Sequence, residues 1–120
     1  IPRGFAALVR EHEGRFWVLD YKTNALGPGD AAYTRAAMEL GMAEHRYDIQ
    51  ATIYMLALHR LLRSRLGEAY DPRAQLGGAV FLFLRGIANT DTRGCCVLGP
   101  DLELLDGLER LLDGSDHGKD

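Results

Sequence analysis

The sequence predicts a mixed α/β fold in which a central sheet is flanked by helices. Two apolar runs rich in aromatic and branched residues, Gly4–Val9 and Arg15–Tyr21, have the composition of strands. Residues 44–66 repeat apolar side chains at helical spacing, and a nearly unbroken apolar run covers Leu76–Leu84. Because the long helix separates the second strand from the third, we expect these two strands to be parallel neighbours.

The first two strands are predicted to form a hairpin. Residues 10–14 separate them, and Glu13-Gly14 is the favoured turn because Gly suits the second turn position. A two-residue loop fixes the register of the cross-strand pairs. The predicted pairs are His12 with Arg15, Arg10 with Trp17 and Ala7 with Asp20.

Two helices are predicted after the hairpin. Residues 23–30 have the Gly, Pro, Asn and Asp content of an exposed loop, and Asp30 is placed to cap a short helix from about Ala31 to Leu40. Gly41 breaks the apolar pattern, and a longer helix follows from about Glu44 to Leu66. Its apolar residues at helical spacing are Ile49, Ile53, Ala57, Leu61 and Leu62.

Three arginines near the end of the long helix, Arg60, Arg63 and Arg65, are predicted to face outward. They suit the negative end of the helix dipole. Contact with DNA is the alternative interpretation of the same residues.

The second half of the chain is predicted to add one strand and one helix. Asp71-Pro72-Arg73 is expected to be a turn, and the apolar run after it suits a strand covered on both faces. Residues 88–96 are expected to form a loop or a weak edge strand. An amphipathic helix is expected from Asp101 to Leu112, within a single domain of residues 1–113 followed by a disordered tail at 114–120.

The composition limits the class of protein. A chain of 120 residues, 47% of them hydrophobic, can bury one core but not two. A net charge of -3 argues against a protein that holds nucleic acid by a general electrostatic field. No apolar stretch is long enough to span a membrane and no signal peptide is apparent, so we expect a soluble, cytoplasmic protein.

Two further expectations come from the cysteines and the first residue. The adjacent Cys95 and Cys96 match no zinc-ligand spacing and are predicted to be reduced thiols. The chain begins at Ile1 and soon enters an apolar strand, so we expect it to be a fragment of a larger protein.

Asp20 and Lys22 are the first candidates for a functional site. They lie two apart on a predicted strand, so both side chains leave the sheet on the face that carries Phe16 and Val18. This strand is apolar on both faces and should be internal, where a charged group is costly unless it is paired or bound to an ion. An ordinary salt bridge where the strand reaches solvent is the alternative, and spacing alone does not separate the two.

A metal-dependent phosphodiesterase would use these residue types. Carboxylate oxygens hold Mg²⁺ against a phosphate oxygen, and a nearby cation stabilises charge or orients the attacking water. Mg²⁺ in such sites takes one or two carboxylates, so a second acid is expected directly opposite Asp20. In the predicted register that position is Ala7.

Four ordered segments resemble the C-terminal nuclease domains of exonuclease V beta subunits (RecB), which belong to the PD-(D/E)xK superfamily. In that family the first two segments read Gly-Phe-Ile-Asp-Leu-Val and Leu-Asp-Tyr-Lys-Ser-Asn, and the third is a Gln-x-x-x-Tyr helix. The corresponding segments here are Gly4–Val9, Glu13–Asn24, His45–Arg60 and Gly77–Gly86. The resemblance covers roughly residues 4–86 and implies a restriction-endonuclease-like core.

The resemblance also implies a function. It is that of a bacterial helicase-nuclease subunit that processes double-strand DNA ends for recombinational repair by Mg²⁺-dependent phosphodiester hydrolysis. Single-stranded DNA ends, the other subunits of a helicase-nuclease complex and a recombinase are the implied partners.

The resemblance assigns roles to four side chains. It implies that Asp20 is a metal ligand and that Lys22 is the catalytic lysine, with the carbonyl of Leu19 or Tyr21 completing the metal shell. It further implies that two residues one helical turn apart, Gln50 and Tyr54, shape the site or touch the DNA. A surface Gln beside a core Tyr is the alternative.

Two departures from the family pattern predict an inactive chain. Ala7 stands where the family has its first Asp, and a methyl group cannot ligate a cation. The family also has a His ligand on an upstream helix that this sequence does not include. The histidines present, His12, His45, His59 and His117, are not obvious replacements. His12 is at the turn, and His45 and His59 have no metal-ligand spacing between them, which leaves His45 as the best substitute.

Three functions remain open at this level. The first is a DNA nuclease domain disabled at Ala7, and the second is a naturally degenerate nuclease fold that acts as a structural or strand-guiding module. The third is a small protein-interaction domain unrelated to DNA. Metal-dependent cleavage after Ala7→Asp would separate the first from the second, and binding of Mg²⁺ or Mn²⁺ near Asp20 would argue against the third.

Overall fold

The computed structural model describes residues 7–117, with side chains as far as residue 114. Strands β1 (Leu8–His12) and β2 (Arg15–Lys22) form the expected antiparallel hairpin. Glu13 and Gly14 occupy the turn with φ values of 52° and 83°, the positive angles of a type I′ turn. The predicted two-residue loop is therefore confirmed, and residues 4–6 of the predicted first strand lie outside the described part of the chain.

The register of the hairpin is the predicted one. His12 pairs with Arg15, and the ladder continues to its last pair, Leu8 with Leu19. Ala7 is the residue just before Leu8, so the ladder ends one residue before the predicted pair of Ala7 with Asp20.

A four-stranded mixed sheet is built on this hairpin, in the order β1-β2-β3-β4. Strand β3 (Leu76–Phe83) runs parallel to β2, as predicted, and the short β4 (Cys95–Leu98) pairs antiparallel with β3 at the edge. The edge strand thus begins near the end of residues 88–96, where a loop or weak strand was expected. Both cysteines are unbridged.

The first helix differs from the prediction. A single 3-10 turn covers Asp30–Ala32, and α1 spans Arg35–Glu44 with the Thr34 side chain accepting a hydrogen bond from the Ala37 amide. Asp30 therefore does not cap the helix. Gly41 lies inside it rather than ending it, and a Cβ at this position would stand 3.1 Å from the Leu26 side chain.

Helix α2 (Tyr47–Leu66) begins three residues later than predicted because Arg46 adopts a left-handed conformation, with φ 54° and ψ 42°. Its buried face consists of Ala51, Met55, Leu58, His59 and Leu62. The branched residues that predicted the helix lie mainly outside the core, with Ile49 49% exposed and Ile53 61% exposed. The helix was predicted correctly, but only Leu62 of that apolar stripe is buried.

The core lies between one face of the sheet and the helices α1, α2 and α4 (Leu102–His117). Phe81 and Phe83 of β3 are completely buried on this face, whereas Val80 and Leu82 are only half-buried on the other. The prediction that this strand is covered on both faces is therefore confirmed in part, since one face is buried and the other is half-buried.

In the remaining elements, two features differ from the prediction. Asp71 caps a short helix, α3 (Pro72–Gln75), where a simple turn was predicted. Helix α4 includes residues 114–117, which were expected to be disordered, and residues 118–120 lie outside the described part of the chain. None of the described helices combines the length and apolar character needed to cross a membrane.

Candidate active site

Asp20 and Lys22 form a buried ion pair near the carboxyl end of β2. The Asp20 residue is 1% exposed, and its Oδ2 lies 3.3 Å from Nζ of Lys22, whose side chain is 12% exposed. Both side chains leave the sheet on the face that meets α2, as their spacing predicted. The pair is largely withdrawn from solvent rather than exposed where the strand ends.

Side chains of helix α2, which packs on this face of the sheet, hold the ion pair in place. The Tyr54 hydroxyl donates a hydrogen bond to Asp20 Oδ2, and Gln50 Oε1 accepts one from Lys22 Nζ at 2.8 Å. Gln50 and Tyr54 are one turn apart, so one helix face reaches both members of the pair. The structure thus brings together the four side chains that the resemblance singled out.

The ionisation state of Tyr54 follows from this packing. Burial, and then the hydrogen bond to the Asp20 carboxylate, raise the pKa of Tyr54 well above its usual range. The hydroxyl therefore stays protonated near neutral pH and acts as a hydrogen-bond donor to Asp20. It fixes the orientation of the carboxylate plane.

The second oxygen of the Asp20 carboxylate faces a different situation. Asp20 Oδ1 is buried and has no hydrogen-bond partner among the described residues. An unsatisfied buried carboxylate oxygen is unfavourable, and a bound cation is one way to satisfy it. A carboxylate with one oxygen held by Tyr54 and Lys22 and the other without a partner fits a single magnesium ligand.

Position 7 lies beside this site. Ala7 and Tyr54 line the same apolar pocket of about 190 Å³, between β1, β2 and α2. Ala7 is exposed and presents only a methyl group, so it adds no oxygen next to Asp20. An additional role for the carbonyl of Leu19 or Tyr21 stays a prediction.

Tyr47 is a member of the site that sequence reasoning missed. Its ring centroid lies 4.0 Å from Lys22 Nζ, and the ring stacks on Phe81 at 5.6 Å. The Tyr47 hydroxyl also exchanges a hydrogen bond with the Asn24 side chain, at 3.1–3.2 Å. A signal was present, because Tyr47 precedes Gln50 by three residues and therefore lies on the same helix face.

None of the histidines with a described side chain joins Asp20 in a group with metal-ligand spacing. His45 is exposed at the start of α2 and stacks on Tyr47, and His12 lies at the hairpin turn. The one described group with metal-ligand spacing is elsewhere and consists of His59, Asp106 and Glu109. His45, the best substitute that the sequence offered, belongs to no such group among the described residues.

Two of the arginines on α2 are engaged by α4. Arg60 lies 3.6 Å from Asp113 and 3.9 Å from Glu109, and Arg63 lies 3.7 Å from Glu109. Arg63 also approaches the buried His59 ring at 3.3 Å. Arg60, Arg63 and Arg65 are all exposed, so the prediction that they face outward is confirmed, and Arg60 and Arg63 in addition join the two helices.

The fold and the site define a class of protein. A mixed sheet with an internal parallel pair, and an Asp-x-Lys pair clamped by a Gln-x-x-x-Tyr helix, are features of a restriction-endonuclease-like core of the PD-(D/E)xK type. No protein-family model matches the chain.

Comparison with known proteins identifies the family within this class. The chain is 52% identical over 85 residues to the RecBCD enzyme subunit RecB of Escherichia coli K12, a match that covers 71% of this chain and 7% of that protein. It is 39% identical to RecB of Haemophilus influenzae, covering 89% of this chain and 9% of that protein. RecB of Mycolicibacterium smegmatis is also 39% identical, with 89% of this chain and 11% of that protein covered.

The chain belongs to the RecB family, as the resemblance predicted. It spans only about a tenth of the length of these relatives.

Proposed function

We propose that this chain is the nuclease domain of a RecB-type helicase-nuclease subunit, built to hydrolyse DNA phosphodiester bonds with Mg²⁺. The observation that carries the proposal is the buried Asp20 carboxylate, whose Oδ1 has no hydrogen-bond partner among the described residues while its Oδ2 is held by Lys22 and Tyr54. A purely structural ion pair would be expected to satisfy both oxygens.

In this proposal each side chain has a separate task. Asp20 Oδ1 would hold the metal, which when bound supplies a Lewis acid for the phosphate oxygen. Lys22 carries the positive charge that stabilises developing negative charge on the phosphate or orients the attacking water. Gln50 and Tyr54 keep the ammonium and the carboxylate in place before substrate arrives.

We further propose that this copy of the domain is inactive. Mg²⁺ sites of this kind use one or two carboxylates, and Ala7 leaves Asp20 as the single acid at this end of the hairpin among the described residues. Loss of a metal ligand removes both metal affinity and the charge stabilisation that the ion supplies.

The test is metal-dependent degradation of linear single-stranded DNA by the chain and by Ala7→Asp, each also extended upstream to include the helix that carries the family histidine. We expect cleavage only from Ala7→Asp, and none from Ala7→Asn, which has the same size without a carboxylate. The double variant Ala7→Asp, Lys22→Met should be inactive again. Cleavage that is equally strong without Lys22 would contradict the proposed roles.

Ala7 itself favours a second candidate function. A nuclease fold that has lost a metal ligand can serve as a structural or strand-guiding module in a larger assembly. Folded Ala7→Asp protein that binds metal but cleaves no DNA would support this second function.

The wider context is part of the same proposal. The matched relatives are named as subunits of the RecBCD enzyme, so we propose other subunits of such a complex as partners of the protein that carries this domain. DNA ends as substrate, transfer of single strands to a recombinase and a cytoplasmic location complete it.

A further inference from the structure

A second aromatic feature adjoins the candidate site at the corner between α1 and α2. Arg46 is left-handed there, and this turns the flanking rings of His45 and Tyr47 onto each other. The two rings stack with centroids 5.3 Å apart and an interplanar angle of 17°. The Arg46 guanidinium is held by Asp48, at 3.1 and 3.3 Å, so the corner is fixed by its own ion pair.

A groove of about 340 Å³ opens beside this corner. Its lining residues are His45, Arg46, Tyr47, Ile49, Gln50 and Ile53. Ile49 and Ile53 are 49% and 61% exposed, and His45 is also exposed. The groove therefore offers aromatic and aliphatic surface to solvent, bordered by one amide and one guanidinium.

The groove is continuous with the Asp20–Lys22 pair through two of its residues. Gln50 accepts the hydrogen bond from Lys22 Nζ, and Tyr47 lies under the same ammonium at 4.0 Å. Since the His45 ring and Lys22 Nζ both contact Tyr47, a phosphate at Lys22 and a base at His45 would come from the same or adjoining nucleotides.

We propose that this groove binds one nucleobase of a single-stranded DNA substrate, stacked on the His45 ring, while the phosphate beside that nucleotide lies at Lys22. The inference rests on the proposed function and adds to it a site for the base. Stacking on an aromatic ring needs an open base face and tolerates any sequence, whereas the bases of an intact duplex are already stacked on their neighbours. The groove thus favours single strands over duplex without a sequence preference.

Direct binding tests this without any need for cleavage. The probe is a single-stranded oligonucleotide carrying one 2-aminopurine, whose fluorescence is quenched by stacking, titrated with the chain at low ionic strength. We expect His45→Ala to weaken binding about fivefold or more and to remove the quenching, as loss of one stacked base does elsewhere. His45→Phe should retain both, and His12→Ala, which changes an exposed histidine at the hairpin turn, should behave like the unchanged chain.

An abasic oligonucleotide provides the decisive control. If the ring acts on a base, the effect of His45→Ala should disappear when the base at the bound position is removed, and the intact duplex should show no dependence on His45. A His45→Ala loss of equal size with intact and abasic strands would overturn the inference, as would unchanged quenching in that variant.

The outcomes separate this inference from the proposed nuclease. Cleavage by Ala7→Asp together with His45-independent binding would overturn the stacking role alone. Failure of the unchanged chain to bind single strands would also overturn the stacking role. It would contradict the nuclease proposal only if Ala7→Asp were inactive as well.

Discussion

The contact between Tyr47 and Lys22 can be tested quantitatively. The Lys22 side chain is 12% exposed, so its attraction to the ring 4.0 Å away is largely desolvated and should be worth about 1–2 kcal/mol. Tyr47→Leu removes that attraction and also the stacking on Phe81, worth about 0.5–1.5 kcal/mol. Together with the lost hydroxyl contact to Asn24, the free energy of unfolding should fall by roughly 2–4 kcal/mol.

A double-mutant cycle isolates the cation from the other losses. Urea unfolding of Tyr47→Leu, Lys22→Met and the double variant should give a coupling energy of about 1–2 kcal/mol. The matched cycle with Tyr47→Phe should give almost none, because phenylalanine keeps the ring and loses only the hydroxyl. A Tyr47→Leu coupling below about 0.3 kcal/mol, the limit of simple additivity, would refute the idea that the ring holds the ammonium.

Two further predictions concern stability. Leu62→Ala should lower the free energy of unfolding by about 2–5 kcal/mol, because Leu62 is buried, whereas Leu61→Ala at a position 41% exposed should cost much less; similar losses in a urea titration would contradict the assigned core face of α2. Burial raises the pKa of Tyr70 to about 12, and an unfolded tyrosine ionises near 10, so stability present below pH ~10 should be lost as the pH rises toward 12. Tyr70→Phe should reduce this slope without abolishing it, since the pKa of Tyr54 is raised too, and an unchanged slope would argue against the assignment.

Local turn chemistry made the hairpin predictable from the sequence. A Glu-Gly pair between two apolar runs specifies a two-residue turn, and that turn fixes every pair in the ladder. The parallel pairing of β2 with β3 followed from the helix between them and from the apolar character of both strands.

Helix faces were less predictable because long-range packing chooses among apolar stripes. Two stripes run along α2 at helical spacing, and the one with branched residues looked like the core. The structure instead buries the stripe with Met55 and Leu58, whose side chains meet the sheet and the other helices. The start of α1 was predicted wrongly for a similar reason. Asp30 and Thr34 are both good N-cap residues, and only the Thr34 side chain accepts a hydrogen bond from a helix amide.

The candidate site was predictable only in part. Asp20 and Lys22 were placed on one face by strand periodicity, and the resemblance brought in Gln50 and Tyr54. The role of Tyr47 was not predicted, because it depends on the distance between a helix and a strand that are separated along the chain. The contact of His59 with α4 was not predicted for the same reason.

Because Ala7 is exposed, a change at this position can alter the chemistry of the domain without altering its folding. Asp20 is buried, and Lys22, Gln50 and Tyr54 are half-buried around it, so a change to any of them also removes a contact that holds α2 on the sheet. Position 7 lies just beyond the β1 ladder and is exposed, so its side chain is not needed to fill the core. We therefore expect a substitution at that position to leave the fold and its stability nearly unchanged, so selection for folding alone would not remove it.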